Sequence, residues 1–504
     1  MKKFSILITA LLAGCATNIP TPIASPESSS SHMDYRGTTA SWTTEGAAAV
    51  RARATERLNK NRAKNVILFV GDGMGVSTLT AGRILEGQLA GQSGEENLLS
   101  FEYFPNTALV KTYNVNAQVP DSAGTATALN TGTKTEMGVI NTAPTHTRGI
   151  CKDYLKDAPK PLAYYAEKIG MSTGVVSTAR ITHATPAAVY AHSADRNWEN
   201  DATLSEEAKK NGCPDIASQI LGDLGGDGLE VALGGGASNM LPTGTGEGQR
   251  TDGRNIPDEW VANKANAKFV ANKTELAAVE AKSTDKLLGL FTPSHMEFAA
   301  ERTDDQPELA DLTETAIQIL SKNKKGYYLM VEAGRIDHAH HGSAANLALN
   351  DTVALSKAVR RALELVDLKN TLIIVTADHS HTFTIAGYPK RGNPILGLVS
   401  GPGMAEGEYT LAEDGKPYTT AGYQNGPNAV MGEREALTEE QVSAIHYRQQ
   451  SAYPLKNETH GGEDVAAHAI GPWSHLVNGT IEQNEIFHIM DYALQLRKRA
   501  AKKK

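Results

Sequence analysis

Four short apolar runs that stop at polar residues predict buried strands; they lie at 66–70, 173–178, 327–331 and 371–376. Between them, the stretches 162–169, 307–322 and 346–366 have apolar residues at helical spacing. Strands that alternate with helices indicate a mostly parallel sheet covered on both faces. We therefore predict an α/β fold, a three-layer sandwich with a central, mostly parallel sheet flanked by helices.

Other segments depart from this alternation. Residues 44–61 have Ala, Arg and Glu at helix-friendly spacing and predict an exposed helix. Residues 384–455 are rich in Gly, Pro, Asn and Tyr and predict an inserted β-rich subdomain, with a long mobile loop as the alternative. The α/β core would then comprise 44–383 and 456–495, and the basic tail, 496–504, is expected to be solvated and frayed.

The N-terminus has the pattern of an export signal. Lys2 and Lys3 precede an apolar run, 4–13, that is too short to span a bilayer. We predict a lipoprotein signal peptide over 1–14, because Leu12-Ala13-Gly14-Cys15 is typical of a bacterial lipoprotein box. An ordinary signal peptide with an incidental cysteine is the alternative.

Lipidation of Cys15 would anchor the mature chain to a membrane. Ala16 follows where an inner-membrane retention signal would have Asp, which favours the outer membrane, facing the periplasm. The stretch 15–43 is rich in Ser, Pro, Thr and Ala and predicts a disordered tether between lipid and globule.

The net charge bears on nucleic-acid binding, and the cysteine content bears on disulfide formation. The 504 residues carry a formal net charge of −8, so nothing indicates nucleic-acid binding. After removal of a signal peptide, Cys151 and Cys213 are the cysteines left besides Cys15. In an exported chain they are expected to form a disulfide, with two buried free thiols as the alternative.

Several predicted strands end on side chains that can bind metals. The polar residues that follow these strands are Asp72, Thr185, Glu332, Asp378 and His379. Because ligands bind outside the carboxyl ends of parallel strands, we expect these groups to meet at one edge of the sheet. Asp72 alone could be a turn-capping residue in its Gly-Asp-Gly sequence.

Two histidine-containing stretches add further ligands. Asp337 and His341 are four residues apart and share a face on a helical turn, although a His-rich tract can also be merely solvated. His460 stands beside glycines that permit a close approach to a metal. The combined set of four acids, three imidazoles and a threonine suits two Zn²⁺ ions and one Mg²⁺ ion.

Ser122 starts a helix of small residues, directly after Asp121. The amide groups at a helix N-terminus favour an anion, so Ser122 is placed to attack a negatively charged group, or is only a helix cap. Arg196 could grip phosphate oxygens with two hydrogen bonds, or lie free on the surface.

The sequence from about 44 to 495 resembles the alkaline phosphatase family, and within it the branch of animal tissue enzymes. The stretches that carry the resemblance are 66–83, 119–129, 178–198, 331–341, 376–381 and 458–465. The resemblance implies hydrolysis of small phosphate monoesters, with Ser122 as the nucleophile that becomes phosphorylated and Arg196 as the phosphate clamp. It gives Asp121 a supporting role, steadying Arg196.

The resemblance also assigns the metal ligands in three sets. Asp337, His341 and His460 would hold one zinc, and Asp72, Asp378 and His379 would hold the second. Asp72, Thr185 and Glu332 would hold magnesium, so that Asp72 bridges two metals.

The resemblance to the branch of animal tissue enzymes leads to further expectations. His183 and His338 stand where many bacterial members have Asp and Lys, and we expect them near the magnesium and near the phosphate or its water. The resemblance implies that Cys151–Cys213 is a disulfide, that 384–455 is a crown subdomain, and that the chain is a homodimer. Thr292 and Gln306 replace acids of the animal calcium site, so we expect no calcium site.

Two rival functions have weaker support in the sequence. A phosphodiesterase or sulfatase of the same metallo-hydrolase superfamily is the main alternative, but the sequence after Ser122 lacks the sulfatase pattern. A lipid-anchored binding protein with an inactive site is disfavoured because every expected ligand is present.

Overall fold

The computed structural model describes residues 37–263 and 266–502. The predicted signal peptide, 1–14, the predicted lipidation site, Cys15, and the part of the predicted tether before residue 37 lie outside the described residues. One compact unit of the chain ends at Arg57, and the other begins at Leu58.

The N-terminal unit contains helix α1, Thr39–Ala54. The sequence pattern placed this helix at 44–61, so both predicted ends are wrong. The Thr38 hydroxyl accepts a hydrogen bond from the Ser41 amide at 3.1 Å, and the Ser41 hydroxyl accepts one from the Thr38 amide at 2.9 Å. This reciprocal cap starts the helix at Thr39, within the predicted tether.

The second unit alternates strands and helices along most of its length. Its helices are α2 (Val76–Leu89), α3 (Ser122–Thr131), α4 (Leu162–Lys168), α5 (Ala184–Ala187), α6 (Glu206–Asn211), α7 (Ile216–Gln219), α8 (Ala237–Met240), α9 (Ile256–Asn263), α10 (Lys273–Ala277), α11 (Leu309–Leu320), α12 (Arg335–His341), α13 (Ala345–Leu365), α14 (Glu439–Ser443), α15 (Gln483–Leu494) and α16 (Leu496–Ala500). Its strands are β1 (Asn65–Gly71), β2 (Asn106–Lys111), β3 (Ser172–Arg180), β4 (Val231–Gly235), β5 (Ala267–Val270), β6 (Lys286–Leu290), β7 (Tyr327–Ala333), β8 (Thr371–Ala377), β9 (Ser380–His381), β10 (Phe383–Ile385), β11 (Ala421–Gly426), β12 (Ser451–Pro454), β13 (His460–Gly461), β14 (Val465–Ile470) and β15 (Gly479–Glu482).

A ten-stranded sheet forms the centre of this unit, in the order β15-β2-β14-β8-β1-β7-β3-β4-β6-β5. Strand β14 is antiparallel to both of its neighbours, and the other pairs in the sheet are parallel. The four strands predicted from the apolar runs are β1, β3, β7 and β8, which are adjacent in the middle of the sheet. The predicted mostly parallel sheet is confirmed.

Both faces of the sheet are covered by helices. Every residue of β1, β7 and β8 is buried, which requires cover on both sides. Helices α2, α11, α12 and α13 pack together as one group, and α3, α4, α15 and α16 form another. The predicted helices at 162–169, 307–322 and 346–366 correspond to α4, α11 and α13. The three-layer arrangement predicted from the sequence is confirmed.

The start of the predicted basic tail is ordered, contrary to the sequence prediction. Helix α16 buries Leu496 and Ala500, and the Arg499 guanidinium donates a hydrogen bond to the Leu494 carbonyl at 3.1 Å. The two apolar residues are four apart, so one face of a short helix can pack on the core. Because the segment 496–504 is mostly basic, its composition alone does not reveal the spacing of Leu496 and Ala500.

The segment 384–455 contributes to a small three-stranded sheet, β10-β11-β12, which is separate from the central sheet. Strand β11 pairs antiparallel with β10 and parallel with β12. That the segment 384–455 forms a crown subdomain with these boundaries stays a prediction. Among the helices in 37–263 and 266–502, none is long and apolar enough to cross a membrane.

Candidate active site

The central strands bring acidic side chains together at their carboxyl ends. In the sheet, Gly71 at the end of β1 lies opposite Ala333 of β7 on one side and Ala377 of β8 on the other. Asp72 and Asp378 follow directly after two of these strands, and Glu332 is the penultimate residue of the third. Matched strand ends therefore place three buried carboxylates at one edge, as the sequence predicted.

Ser122 is the first residue of α3 and faces this edge. Its hydroxyl lies 3.1 Å from His379 Nε2 and 3.5 Å from Asp72 Oδ1, and only 2% of the residue is exposed. All residues of α3 are buried, and most are small, so the helix can approach the sheet edge closely. Ser122 is thus inside the ligand cluster, whereas the cap of α3 is Asp121.

Asp121 connects the start of α3 to Arg196. One carboxylate oxygen accepts hydrogen bonds from the Gly124 amide and Asn114 Nδ2, both at 3.0 Å. The other accepts from the Gly138 amide and Arg196 Nη1, again at 3.0 Å. Burial opposes ionisation, but the Arg196 charge and the two amides hold the pKa of Asp121 below its ordinary value.

The first candidate metal-ligand group consists of Asp72, Asp378 and His379. His379 Nε2 lies 3.3 Å from Asp72 Oδ1 and 3.4 Å from Asp378 Oδ2. Burial lowers the pKa of His379 well below its usual range, so the imidazole is neutral and can act as a ligand. Burial and the neighbouring carboxylates raise the pKa of Asp72 well above its ordinary value. A bound cation would relieve this concentration of negative charge.

The second group consists of Asp337, His341 and His460. His341 Nδ1 donates a hydrogen bond to the Glu458 carbonyl, and His460 Nδ1 donates one to the Pro120 carbonyl, both at 2.7 Å. The remaining ring nitrogens, both Nε2, face each other at 3.1 Å, and each lies 3.3 Å from Asp337 Oδ1. Two imidazole nitrogens and one carboxylate oxygen converge in this way, and the other nitrogen of each ring is hydrogen-bonded, so the group fits a zinc ion.

The third group consists of Asp72, Thr185 and Glu332 and offers oxygen atoms as ligands. Glu332 lies beside both Thr185 and Asp72. Their buried atoms Asp72 Oδ2, Thr185 Oγ1 and Glu332 Oε1 have no hydrogen bond of good geometry among the described residues. The other Glu332 oxygen accepts a hydrogen bond from the Ser177 hydroxyl. Buried polar oxygens are rarely left without a partner, and oxygen ligands are those that Mg²⁺ prefers. The set fits a magnesium ion.

His183 and His338 lie next to these groups, and their expected places near the magnesium and near the phosphate or its water stay predictions. His183 has a ring nitrogen within 4.8 Å of carboxylate oxygens of Asp72 and Glu332, and its Nε2 lies 3.1 Å from Arg196 Nη2. His338 lines a cavity of about 540 Å³ together with His341 and His460. This cavity therefore borders the second group.

Three further residues at the site were not predicted from the sequence. His381 Nε2 lies 2.9 Å from Asp337 Oδ1, and His381 Nδ1 lies 2.6 Å from the Glu458 carboxylate. His295 packs on His338 with ring centroids 4.1 Å apart. His381 and Glu458 are two residues from predicted ligands, which is a usable signal, whereas nothing in the sequence marks His295.

The remaining predicted residues lie outside these groups. Cys151 and Cys213 form a disulfide, which confirms that prediction. The Thr292 hydroxyl donates to the Ser294 carbonyl at 2.9 Å, and Gln306 Oε1 accepts from the Glu297 amide at 3.1 Å.

Comparisons with known proteins match this chain to one family. The family model described as alkaline phosphatase matches residues 63–496. The tissue-nonspecific isozyme of alkaline phosphatase from Felis catus is 45% identical over 454 residues, which are 87% of this chain and 85% of the relative. The human isozyme is 44% identical over the same shares of both chains. An alkaline phosphatase from Gadus morhua is 42% identical over 88% of this chain and 94% of its own.

Solved structures show the same fold. The alkaline phosphatase of the Antarctic bacterium TAB5 superposes with a TM-score of 0.60 at 24% identity, over 86% of this chain and 99% of that one. The Thermus thermophilus enzyme has a TM-score of 0.63 at 23% identity, over 90% and 97%. Through the family match and the relatives above 40% identity, this chain is shown to belong to the metal-dependent alkaline phosphatase family.

Proposed function

We propose that this chain hydrolyses phosphate monoesters to an alcohol and inorganic phosphate, with Ser122 as the nucleophile. The observation that carries this proposal is the position of the Ser122 hydroxyl, 3.1 Å from His379 and 3.5 Å from Asp72, inside the ligand cluster. Phosphodiester or sulfate ester hydrolysis is not favoured, because the curated relatives are alkaline phosphatases.

The metal content proposed is two zinc ions and one magnesium ion per chain. Asp337, His341 and His460 would hold one zinc, and Asp72, Asp378 and His379 the other. Asp72, Thr185 and Glu332 would hold magnesium. When bound, such cations lower the pKa of hydroxyl groups and neutralise charge on the phosphoryl oxygens.

The residues of the chain then act in two steps. Arg196 holds two phosphoryl oxygens and orients the ester for in-line attack. The Ser122 oxygen forms a bond to phosphorus while the bond to the ester oxygen breaks, and the alcohol leaves with a proton. Water next attacks phosphorus from the side opposite Ser122, which regains its proton as phosphate departs.

His183 and His338 complete the surroundings of the phosphate in this proposal. Burial lowers the pKa of both imidazoles, that of His338 to about 3, so both are neutral at the pH of turnover. His183 would assist magnesium through its contact with the Asp72 and Glu332 group, and His338 would face the phosphate or its water from the cavity wall.

Assembly and location are also proposals. Dimers are typical of the family, and we expect a homodimer in which α1 and the segment 384–455 lie at the subunit contact. The lipobox at Cys15 supports an exported protein that is lipid-anchored, facing the periplasm from the outer membrane. No calcium site is expected, since Thr292 and Gln306 use their polar atoms within local loops.

A comparison of two chromogenic esters tests the proposed function. The purified protein should hydrolyse p-nitrophenyl phosphate far faster than bis(p-nitrophenyl) phosphate at alkaline pH. Removal of metals by a chelator should abolish this activity, and zinc with magnesium should restore it. A faster rate on the diester, or full activity of the metal-free protein, would overturn the proposal.

A further inference from the structure

Glu458 is a buried carboxylate that none of the roles above uses. We propose that Glu458 is a positioning residue, which holds the second metal-ligand group in place for its cation. The inference rests on the proposed function, since it requires that group to bind a metal.

The Glu458 side chain is fully engaged with neighbouring donors. Only 1% of the residue is exposed. One carboxylate oxygen accepts hydrogen bonds from the amide and the hydroxyl of Thr382, both at 2.7 Å. The other lies 2.6 Å from His381 Nδ1. With both oxygens engaged in this way, Glu458 is placed to orient its neighbours.

The first neighbour that it orients is His381. The ring of His381 bridges two carboxylates, with Nδ1 toward Glu458 and Nε2 at 2.9 Å from Asp337 Oδ1. The bond to Glu458 fixes the plane of the imidazole, and the imidazole in turn fixes the rotation of the Asp337 carboxylate. Glu458 therefore acts on this ligand through one intermediate ring.

The second neighbour is His341, which Glu458 holds through its main chain. The Glu458 amide donates to the His341 carbonyl at 2.9 Å, and the Glu458 carbonyl accepts from His341 Nδ1 at 2.7 Å. This pair of bonds fixes the ring so that Nε2 points toward His460. The tautomer with a free Nε2 lone pair is the one that a metal ligand needs.

The residue after Glu458 is clamped as well. The Thr459 amide donates to Asn425 Oδ1, and Asn425 Nδ2 donates to the Thr459 hydroxyl, each at 3.0 Å. Asn425 belongs to β11, so the small sheet supports the segment that leads into β13, which begins at His460. The side chain of Glu458 and the clamp on Thr459 thus fix the same short segment at two adjacent positions.

The test measures zinc affinity directly. Metal-free wild-type protein and variants are titrated with zinc against a competing chelator, and bound zinc is counted by elemental analysis. Loss of an outer hydrogen-bond partner costs about 10–100-fold in metal affinity, and this is the loss expected for Glu458→Ala at one zinc site. Glu458→Gln can keep the two bonds from Thr382 through its amide oxygen, but it loses the negative charge and turns an NH₂ group toward His381 Nδ1, so a smaller, several-fold loss is expected.

Glu463→Ala is the matched control, since Glu463 is an exposed carboxylate of the same segment whose partners are Ser380 and the Val76 amide. Its zinc affinity should equal that of the wild type. Zinc affinity of Glu458→Ala within twofold of the wild type would overturn the inference. If that variant does not fold, unchanged affinity of Glu458→Gln overturns it instead. A wild type that binds no zinc would refute the proposed function, which is a separate outcome.

Discussion

Asp121 and Arg196 form a 3.0 Å ion pair directly beside the candidate nucleophile, because Asp121 is the residue before Ser122. The same Asp121 carboxylate caps α3 by accepting a hydrogen bond from the Gly124 amide. One side chain therefore sets both the start of the nucleophile's helix and the direction of the phosphate clamp. The family resemblance implies that Asp121 steadies Arg196, and this ion pair is the contact that such a role requires.

Asp121→Asn should weaken phosphate binding. All four partners of the Asp121 carboxylate are donors, so an amide NH₂ group would face two of them. A hydrogen bond to a charged group contributes about 1.5–3 kcal/mol, so the inhibition constant for inorganic phosphate should rise about tenfold or more.

The control for this variant is Asp195→Asn. Asp195 precedes Arg196 but pairs at 3.0 Å with Arg148, and of the two side chains that of Arg148 is exposed and that of Asp195 half-buried. A partly exposed pair contributes about 0–1 kcal/mol, and its loss should leave phosphate inhibition unchanged. Equal effects of the two substitutions would contradict the role given to Asp121.

Glu167→Gln should stabilise the protein at alkaline pH. Burial, and then the charge of Glu230, raises the pKa of Glu167 to about 8 in the folded chain, against 4.5 as its ordinary value. The folded state holds this proton more tightly than the unfolded state does. The contribution of Glu167 to the free energy of unfolding is therefore fully present below about pH 4.5 and is lost as the pH rises to about 8.

The free energy of unfolding, measured from pH 5 to pH 9, checks this prediction. Glu167→Gln should lie above the wild type at pH 9 and show a shallower decline with pH. Glu206→Gln, a change at an exposed glutamate of α6, serves as the control and should follow the wild type. A steeper decline for Glu167→Gln than for the wild type would contradict the argument.

Replacing Cys151 and Cys213 together with serine should destabilise the fold without removing catalytic groups. The disulfide joins residues 62 apart in sequence, and closing a loop of that length is worth about 4 kcal/mol on the chain-entropy model. Denaturant unfolding should show a loss of this size. The wild type in reducing agent is the control and should lose the same amount.

The strands and most of the site could be predicted because their signals are local. An apolar run that stops at Gly71-Asp72 marks a strand end, and a spacing of four residues marks Asp337 and His341 as one face of a helix. Parallel topology then brings separate strand ends to one edge without further information. The predicted limits of α1 are wrong because the helix starts at the reciprocal cap between Thr38 and Ser41, which helix propensity alone does not indicate.

The outer part of the site could not be predicted from local pattern. His460 reaches Asp337 because β13 pairs with β9, with His460 opposite His381, across nearly eighty residues of intervening chain. The family resemblance, and not the local pattern, assigns His460 to the same zinc ion as Asp337 and His341. Glu458, His381 and His295 act through tertiary contacts with other side chains, and periodicity carries no information about such contacts.

Covalent capture of phosphate tests the central claim most directly. The protein is mixed with a phosphate monoester, quenched in acid, digested and analysed by mass spectrometry. The wild type should carry a phosphate on Ser122, whereas Ser122→Ala and the metal-free protein should carry none and should lack monoesterase activity. Phosphate on another residue, or full activity of Ser122→Ala, would contradict the assignment of Ser122 as the nucleophile.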